Sequence, residues 1–181
     1  MTSQGNGNTI AGNTNVARIF DVSSDATQFN LNDVTLSGGG SLSLNGGAIR
    51  AGSGTDIQII DSVLTGNRGS NGGAIFTNGM ITLNNSEVIG NVTTADGGGI
   101  QAGTVIVTDS TVSGNTAGAD GGGINAVTAT LTNSTVSGNS ILQRYERSPR
   151  GGGINAVTVT LTNSTVSGNL RSLGFVNACE N

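Results

Sequence analysis

The sequence predicts an all-β fold: a single-stranded parallel β-helix, or β-solenoid, of about six coils of ~24 residues with three strands per coil. Three observations predict it. A motif returns at a nearly constant interval, the apolar residues inside each copy alternate, and the composition suits thin, turn-rich coils rather than a thick core.

The repeat is clearest late in the chain. Gly-Gly-Gly-Ile-Asn-Ala-Val-Thr-Ala-Thr-Leu-Thr-Asn-Ser-Thr-Val-Ser-Gly-Asn at 121–139 recurs at 151–169 with Ala129 changed to Val159. Weaker copies place a Gly-Gly-x-Ile element ending at Ile49, Ile75, Ile100, Ile124 and Ile154. A Gly-Asn element ends at Asn67, Asn91, Asn115, Asn139 and Asn169, with spacings of 24, 24, 24 and 30. The long interval holds an insertion at 140–150. A degenerate first copy runs from Gln28 to Gly38. One domain is expected over 1–181: an N-terminal coil or cap at 1–27, repeats at 28–169 and a C-terminal tail or cap at 170–181.

Alternation has the period of a strand, not of a helix. Alignment on Gly-Asn gives four inward columns: Ile57, Ile81, Val105, Ala129, Val159; Ile59, Leu83, Val107, Leu131, Leu161; Leu64, Val88, Val112, Val136, Val166; and the Ile49–Ile154 series. β-Branched residues dominate, as a pleated half-buried surface favours. Each column should stack like on like at about 4.8 Å per coil, giving a rod about 30 Å long. Strands are expected near Gly-Gly-x-Ile, near Val-Thr-Leu-Thr and near Ser-Thr-Val-Ser. Paired Gly supplies tight turns. Asn tolerates the left-handed region and can bond its copy in the next coil, so Asn67, Asn91, Asn115, Asn139 and Asn169 form a candidate structural ladder. A second polar column, Asp61, Asn85, Asp109, Asn133 and Asn163, sits at the preceding corner. Asn-x-Ser/Thr at Asn84, Asn91, Asn133 and Asn163 is read as corner chemistry rather than as glycan acceptors.

Composition narrows the chemistry. The chain of 181 residues has 31 Gly, one Pro, no His, no Trp and a net charge of −4, and all seven of its basic residues are Arg. Without His, neither imidazole catalysis nor His metal ligation is available. Cys179, the single Cys, supports no internal disulfide and no Cys metal cluster. No basic patch points to nucleic acid, and no apolar run is long enough for a membrane-spanning helix. No signal peptide is visible at Met1–Gly5.

Three sites remain as candidates. Asp96 and Asp120 precede Gly-Gly-Gly in consecutive coils, a weak Ca²⁺ candidate set against a plain corner pair, with Arg150 next in line to pair with Asp120. Arg144, Tyr145, Arg147 and Arg150 in the insertion form a candidate binding loop. Thr82, Thr108, Thr130, Thr132, Thr160 and Thr162 would line an outward face, interrupted by Gln58, Ile60, Asn84 and Ile106.

Gly-Gly-Ala-Ile at 46–49 and 72–75, Gly-Gly-Gly-Ile in later coils, and Leu-Thr-Asn-Ser-Thr-Val-Ser-Gly-Asn together resemble right-handed parallel β-helix repeats. Such repeats occur in large bacterial surface and secreted proteins, including chlamydial polymorphic outer-membrane proteins. The chlamydial repeats add Phe-x-x-Asn, and that Phe is missing here. The resemblance covers most of 28–169 and implies the right-handed coil and an extracellular or cell-surface location. It does not select an activity, because these families mix adhesins with polysaccharide-acting enzymes.

The expected function is a non-catalytic structural or adhesive solenoid with no obligatory cofactor. Its expected partners are further copies, stacking end to end into fibres, or a polysaccharide or cell-surface ligand. A carbohydrate-binding or polysaccharide-cleaving β-helix and an ice-binding β-solenoid are the alternatives. The apolar tail residues Leu170, Leu173, Phe175 and Val176 are expected to cap one end, and Ile19, Phe20 and Phe29 the other.

Overall fold

The computed structural model describes residues 7–13, 17–22, 26–143 and 150–173. These form a parallel β-solenoid with no helix among them, coiling in about five turns of roughly 24 residues. Three parallel sheets wrap the axis. The first face stacks seven strands: Asn8–Ala11, Val34–Ser37, Val63–Thr65, Glu87–Ile89, Thr111–Ser113, Thr135–Ser137 and Thr165–Ser167. The second carries Gln28–Asn32, Asp56–Ile60 and Met80–Asn84, then the nine-residue strands Ile100–Thr108, Ile124–Thr132 and Ile154–Thr162. The third stacks Arg68–Gly69, Val92–Thr93, Thr116–Ala117, Ser140–Gln143 and Leu170–Leu173.

The four inward columns pair in the register the repeat requires. Val112 lies between Val88 and Val136, and Val136 is followed by Val166. Ile81, Val105, Ala129 and Val159 follow Ile57, and the Ile49 and Ile59 series behave alike. Except at the last coil these side chains are shut off from solvent. Each such Leu or Ile contributes about 1.5–3 kcal/mol on burial, but only because a coil above and a coil below cover it.

Two expectations about the strands are corrected. Gly-Gly-x-Ile and Val-Thr-Leu-Thr do not lie on separate faces. In coils without a break they are one strand of the second face. In the earlier coils Ile49–Arg50 and Asp56–Ile60 are two strands of that same face, separated by the Gly52–Thr55 turn. The third face instead begins just after the Gly-Asn element. Its inward positions are Gly69, Thr93, Ala117 and Ile141, whose chemistry changes from coil to coil.

The outermost described segments also join the stack. Asn8–Ala11 extends the first face and Phe20–Asp21 the second, where Phe20 meets Phe29 at 5.2 Å between ring centroids and Ile19 packs on the core. Leu170–Leu173, the start of the tail expected to cap this end, is a further strand of the third face, and Leu170 is exposed. Phe175, Val176 and Cys179 lie outside the described residues.

Candidate functional site

The polar side chains that repeat are positioned by the corners. At the first corner, Asp33, Asp61, Asn85, Asp109, Asn133 and Asn163 all adopt positive φ, between 47° and 54°. Short Asp and Asn side chains carry that conformation at lower cost than other non-glycine residues. At the second corner the left-handed residue is not the Asn expected from the repeat. It is the Gly before it: Gly66, Gly90, Gly114, Gly138 and Gly168.

That Gly turns the following Asn inward. Asn67, Asn91, Asn115 and Asn139 are completely buried and bonded end to end. Each donates from Nδ2 to Oδ1 of the next Asn at 2.9–3.0 Å, and Asn139 donates likewise to Asn169. The same Oδ1 also accepts the backbone N–H of the Asn before it at 2.9–3.0 Å. The remaining amide hydrogen reaches a carbonyl of the preceding coil, as from Asn115 to Val88. Every atom of the amide is occupied, so this ladder is structural, as its spacing suggests.

A second ladder was not singled out in the sequence. Ser62, Ser86, Ser110 and Ser134 are buried, and their hydroxyls accept backbone N–H groups from the preceding coil at 2.9–3.2 Å. The signal was present: a Ser recurs two residues before each Leu64-series residue. It was hidden because Ser is common in any corner of this chain.

A third polar file runs past the Gly pairs. Asn71 donates from Nδ2 to Asn45, and its own Oδ1 accepts Asp96 N–H at 3.3 Å. Asp96 Oδ1 accepts Asp120 N–H at 3.0 Å, and Asp120 Oδ1 accepts Arg150 N–H at 2.7 Å. The structure thus brings Asp96, Asp120 and Arg150 together, but Arg150 meets Asp120 through its backbone. No group of three or more His, Cys, Asp or Glu residues able to share a metal ion occurs among the described residues. Because an Asn oxygen accepts the same bond, Asp96→Asn is expected to change stability by less than about 1 kcal/mol, with or without calcium. Thermal melts with added CaCl₂ and with EDTA check this; a calcium-dependent rise in Tm lost in the variant would give the pair to a cation.

Arg144, Tyr145 and Arg147 of the insertion lie outside the described residues. At the N-terminal end Arg18 and Arg50 both bond Asp21. Partial burial pushes the Asp21 carboxyl up, but the Arg50 hydrogen bond and the Arg18 charge together outweigh it, holding the group below its ordinary range.

On the outer side of the second face, register adds a Thr file that the sequence reading left out: Thr104, Thr128 and Thr158. With Thr130, Thr132, Thr160 and Thr162, two coils carry an unbroken Thr-x-Thr-x-Thr row. Ile106 interrupts the coil before them, and Met80 and Asn84 the coil before that. The grid is two coils deep, which suits a solvated strand face.

No known protein-family model, no curated protein and no solved structure matches the chain.

Proposed function

We propose that the chain is a non-catalytic structural or adhesive β-solenoid of extracellular or cell-surface type, like the right-handed repeat regions of the bacterial surface proteins it resembles. One observation carries the reading. The polar groups that recur from coil to coil are engaged in holding coils together. The repeated Asn amides and Ser hydroxyls form buried ladders, and the stacked carboxylates Asp96 and Asp120 accept backbone N–H groups. Hydrolytic cleavage of a polysaccharide ordinarily uses a proton donor and a second carboxylate facing it across a cleft. The stacked acids instead lie in file along one corner.

Incubation with a panel of acidic and neutral polysaccharides, followed by reducing-end and unsaturated-product assays, is expected to show no turnover. Binding without cleavage agrees with an adhesive role. Cleavage abolished by substituting one of the acids overturns the reading in favour of an enzyme. Protease shaving of intact source cells tests the location, and protection of the chain in intact cells overturns that part.

A further inference from the structure

Among the described residues, the C-terminal end of the rod is an unfinished interior. Val159, Leu161 and Val166 are 45%, 48% and 43% exposed, whereas Ala129, Leu131 and Val136, one coil back in the same columns, are completely buried. Together with Ile154 and Asn169 they line an open depression of about 430 Å³. The Asn ladder stops there too. Asn169 accepts from Asn139 and donates to Val136 O. In every earlier rung the backbone N–H and a second amide hydrogen go to the Oδ1 of a following Asn, and for Asn169 no following Asn exists among the described residues.

The opposite end carries the missing piece. Ile10 pairs with Leu36, which pairs with Leu64, so it heads the same column that Val166 closes. It is itself 39% exposed. Three residues on lies Asn13, exposed, preceded by Gly12 as Asn169 is preceded by Gly168. Ile10-Ala11-Gly12-Asn13 therefore repeats Val166-Ser167-Gly168-Asn169 in position. The next coil of the same chain has Gly39 at the ladder position, where its N–H donates to Asn67 Oδ1. Ladder bonds run from each Asn N–H to the Oδ1 of the coil that follows. In the first coil there is no earlier described rung to donate to Asn13.

We infer that the C-terminal end of one molecule receives the N-terminal end of a second copy. Asn8–Ala11 of the second copy adds to the free edge of Thr165–Ser167, with Ile10 over Val166 and Asn13 over Asn169. This rests on the structural reading above and names its partner. The contact is heterologous and does not close on itself, so it propagates into a filament. It gives the two free edges of the first face a partner with matched side chains rather than leaving them open. On the second face the same stacking leaves one strand's width between Ile154–Thr162 of the first copy and Gln28–Asn32 of the second.

Two single-end variants of the whole chain test the inference. Ile10→Glu spoils the N-terminal end and Val166→Glu the C-terminal end; both positions are at rod ends, and circular dichroism checks that the body of the fold is retained. By sedimentation velocity over a concentration series, the wild type is expected to form a ladder of end-to-end species, visible as rods in negative stain. Each variant alone should need about tenfold more protein or greater to associate. Mixed together, they should form dimers and nothing longer, because each still has one good end. Wild-type protein that stays monomeric up to its solubility limit overturns the inference, as does a mixture that behaves as the sum of its parts. Covering of the end by the molecule's own residues 174–181 would give that monomer. A monomer without polysaccharide turnover leaves the structural reading standing, so the two fail separately.

Discussion

Gly98→Ala is expected to destabilise the chain by about 3–5 kcal/mol, enough to leave much of it unfolded at room temperature. The reason is the second Gly of each Gly-Gly element, stacked as Gly47, Gly73, Gly98, Gly122 and Gly152. A Cβ built on Gly98 would sit 2.1 Å from the Gly122 carbonyl oxygen and 2.7 Å from the Thr116 backbone carbon. Both obstacles are backbone, so no side chain can swing aside. The coils would have to part where Gly98 N–H donates to Gly121 and Gly99 N–H to Gly123, each at 3.0 Å. Gly73 and Gly122 meet a carbonyl of the following coil just as closely.

Gly114 supplies the control. Its φ of +63° needs a residue that accepts the left-handed region, yet a Cβ there meets nothing nearer than 3.9 Å. Gly114→Asn is therefore expected to cost under about 1 kcal/mol. Urea midpoints followed by circular dichroism compare the two. Equal midpoints would show that the coils are not packed this closely at the Gly column.

That contrast also marks what could be seen in the sequence. The repeat, its parallel stacking and the four inward columns were legible because Ile49, Leu64 and their copies keep one chemical character through every coil. The third face was not. Its inward file runs Gly69, Thr93, Ala117, Ile141, and no apolar periodicity survives such a series. Merging of two motifs into one nine-residue strand follows the spacing between them, eight residues from Ile49 to Ile57 and six from Ile75 to Ile81 but five from Ile100 to Val105, a difference that alignment on Gly-Asn does not bring out. The Asn ladder was readable from spacing alone. Its division of labour was not: Gly66 and its copies bend the chain while the Asn stays inward, and a Gly-Asn pair gives no hint of which residue does which. Arg150 was correctly placed beside Asp120, but side-chain pairing was the natural guess and a backbone donor is what the stacking supplies.

Asn115→Ala is expected to be about as damaging as Gly98→Ala, through lost hydrogen bonds rather than collision. The substitution removes the acceptor of Asn91 N–H at 3.0 Å and of Asn91 Nδ2 at 2.9 Å. It also leaves Val88 O and Asn139 Oδ1 without the amide donor that each meets at 2.9 Å. Asn91, Asn115 and Asn139 are completely buried, so water cannot substitute without opening the corner. At about 1–3 kcal/mol for each buried group left unpaired, and with partial relaxation, the loss should be about 3–5 kcal/mol. Asn169→Ala makes the internal comparison. It is the last described rung and only part-buried, and it leaves the Asn139 donors and Val136 O facing an end that solvent reaches, so about 1 kcal/mol is expected. Asn115→Asp separates shape from hydrogen bonding. Its carboxylate keeps both acceptor contacts but sets negative oxygen against Asn139 Oδ1 and Val88 O in a dry corner, which raises the carboxyl pKa in the folded chain. A raised folded-state pKa means the penalty is absent at low pH and grows as pH climbs from the unfolded value of about 3.9 toward the folded one. Acid should therefore restore much of the stability of Asn115→Asp and none of that of Asn115→Ala. Urea midpoints at pH 3 and pH 7 would show the difference; an Asn115→Ala variant as stable as wild type at pH 7 would mean that the ladder does not hold the coils together.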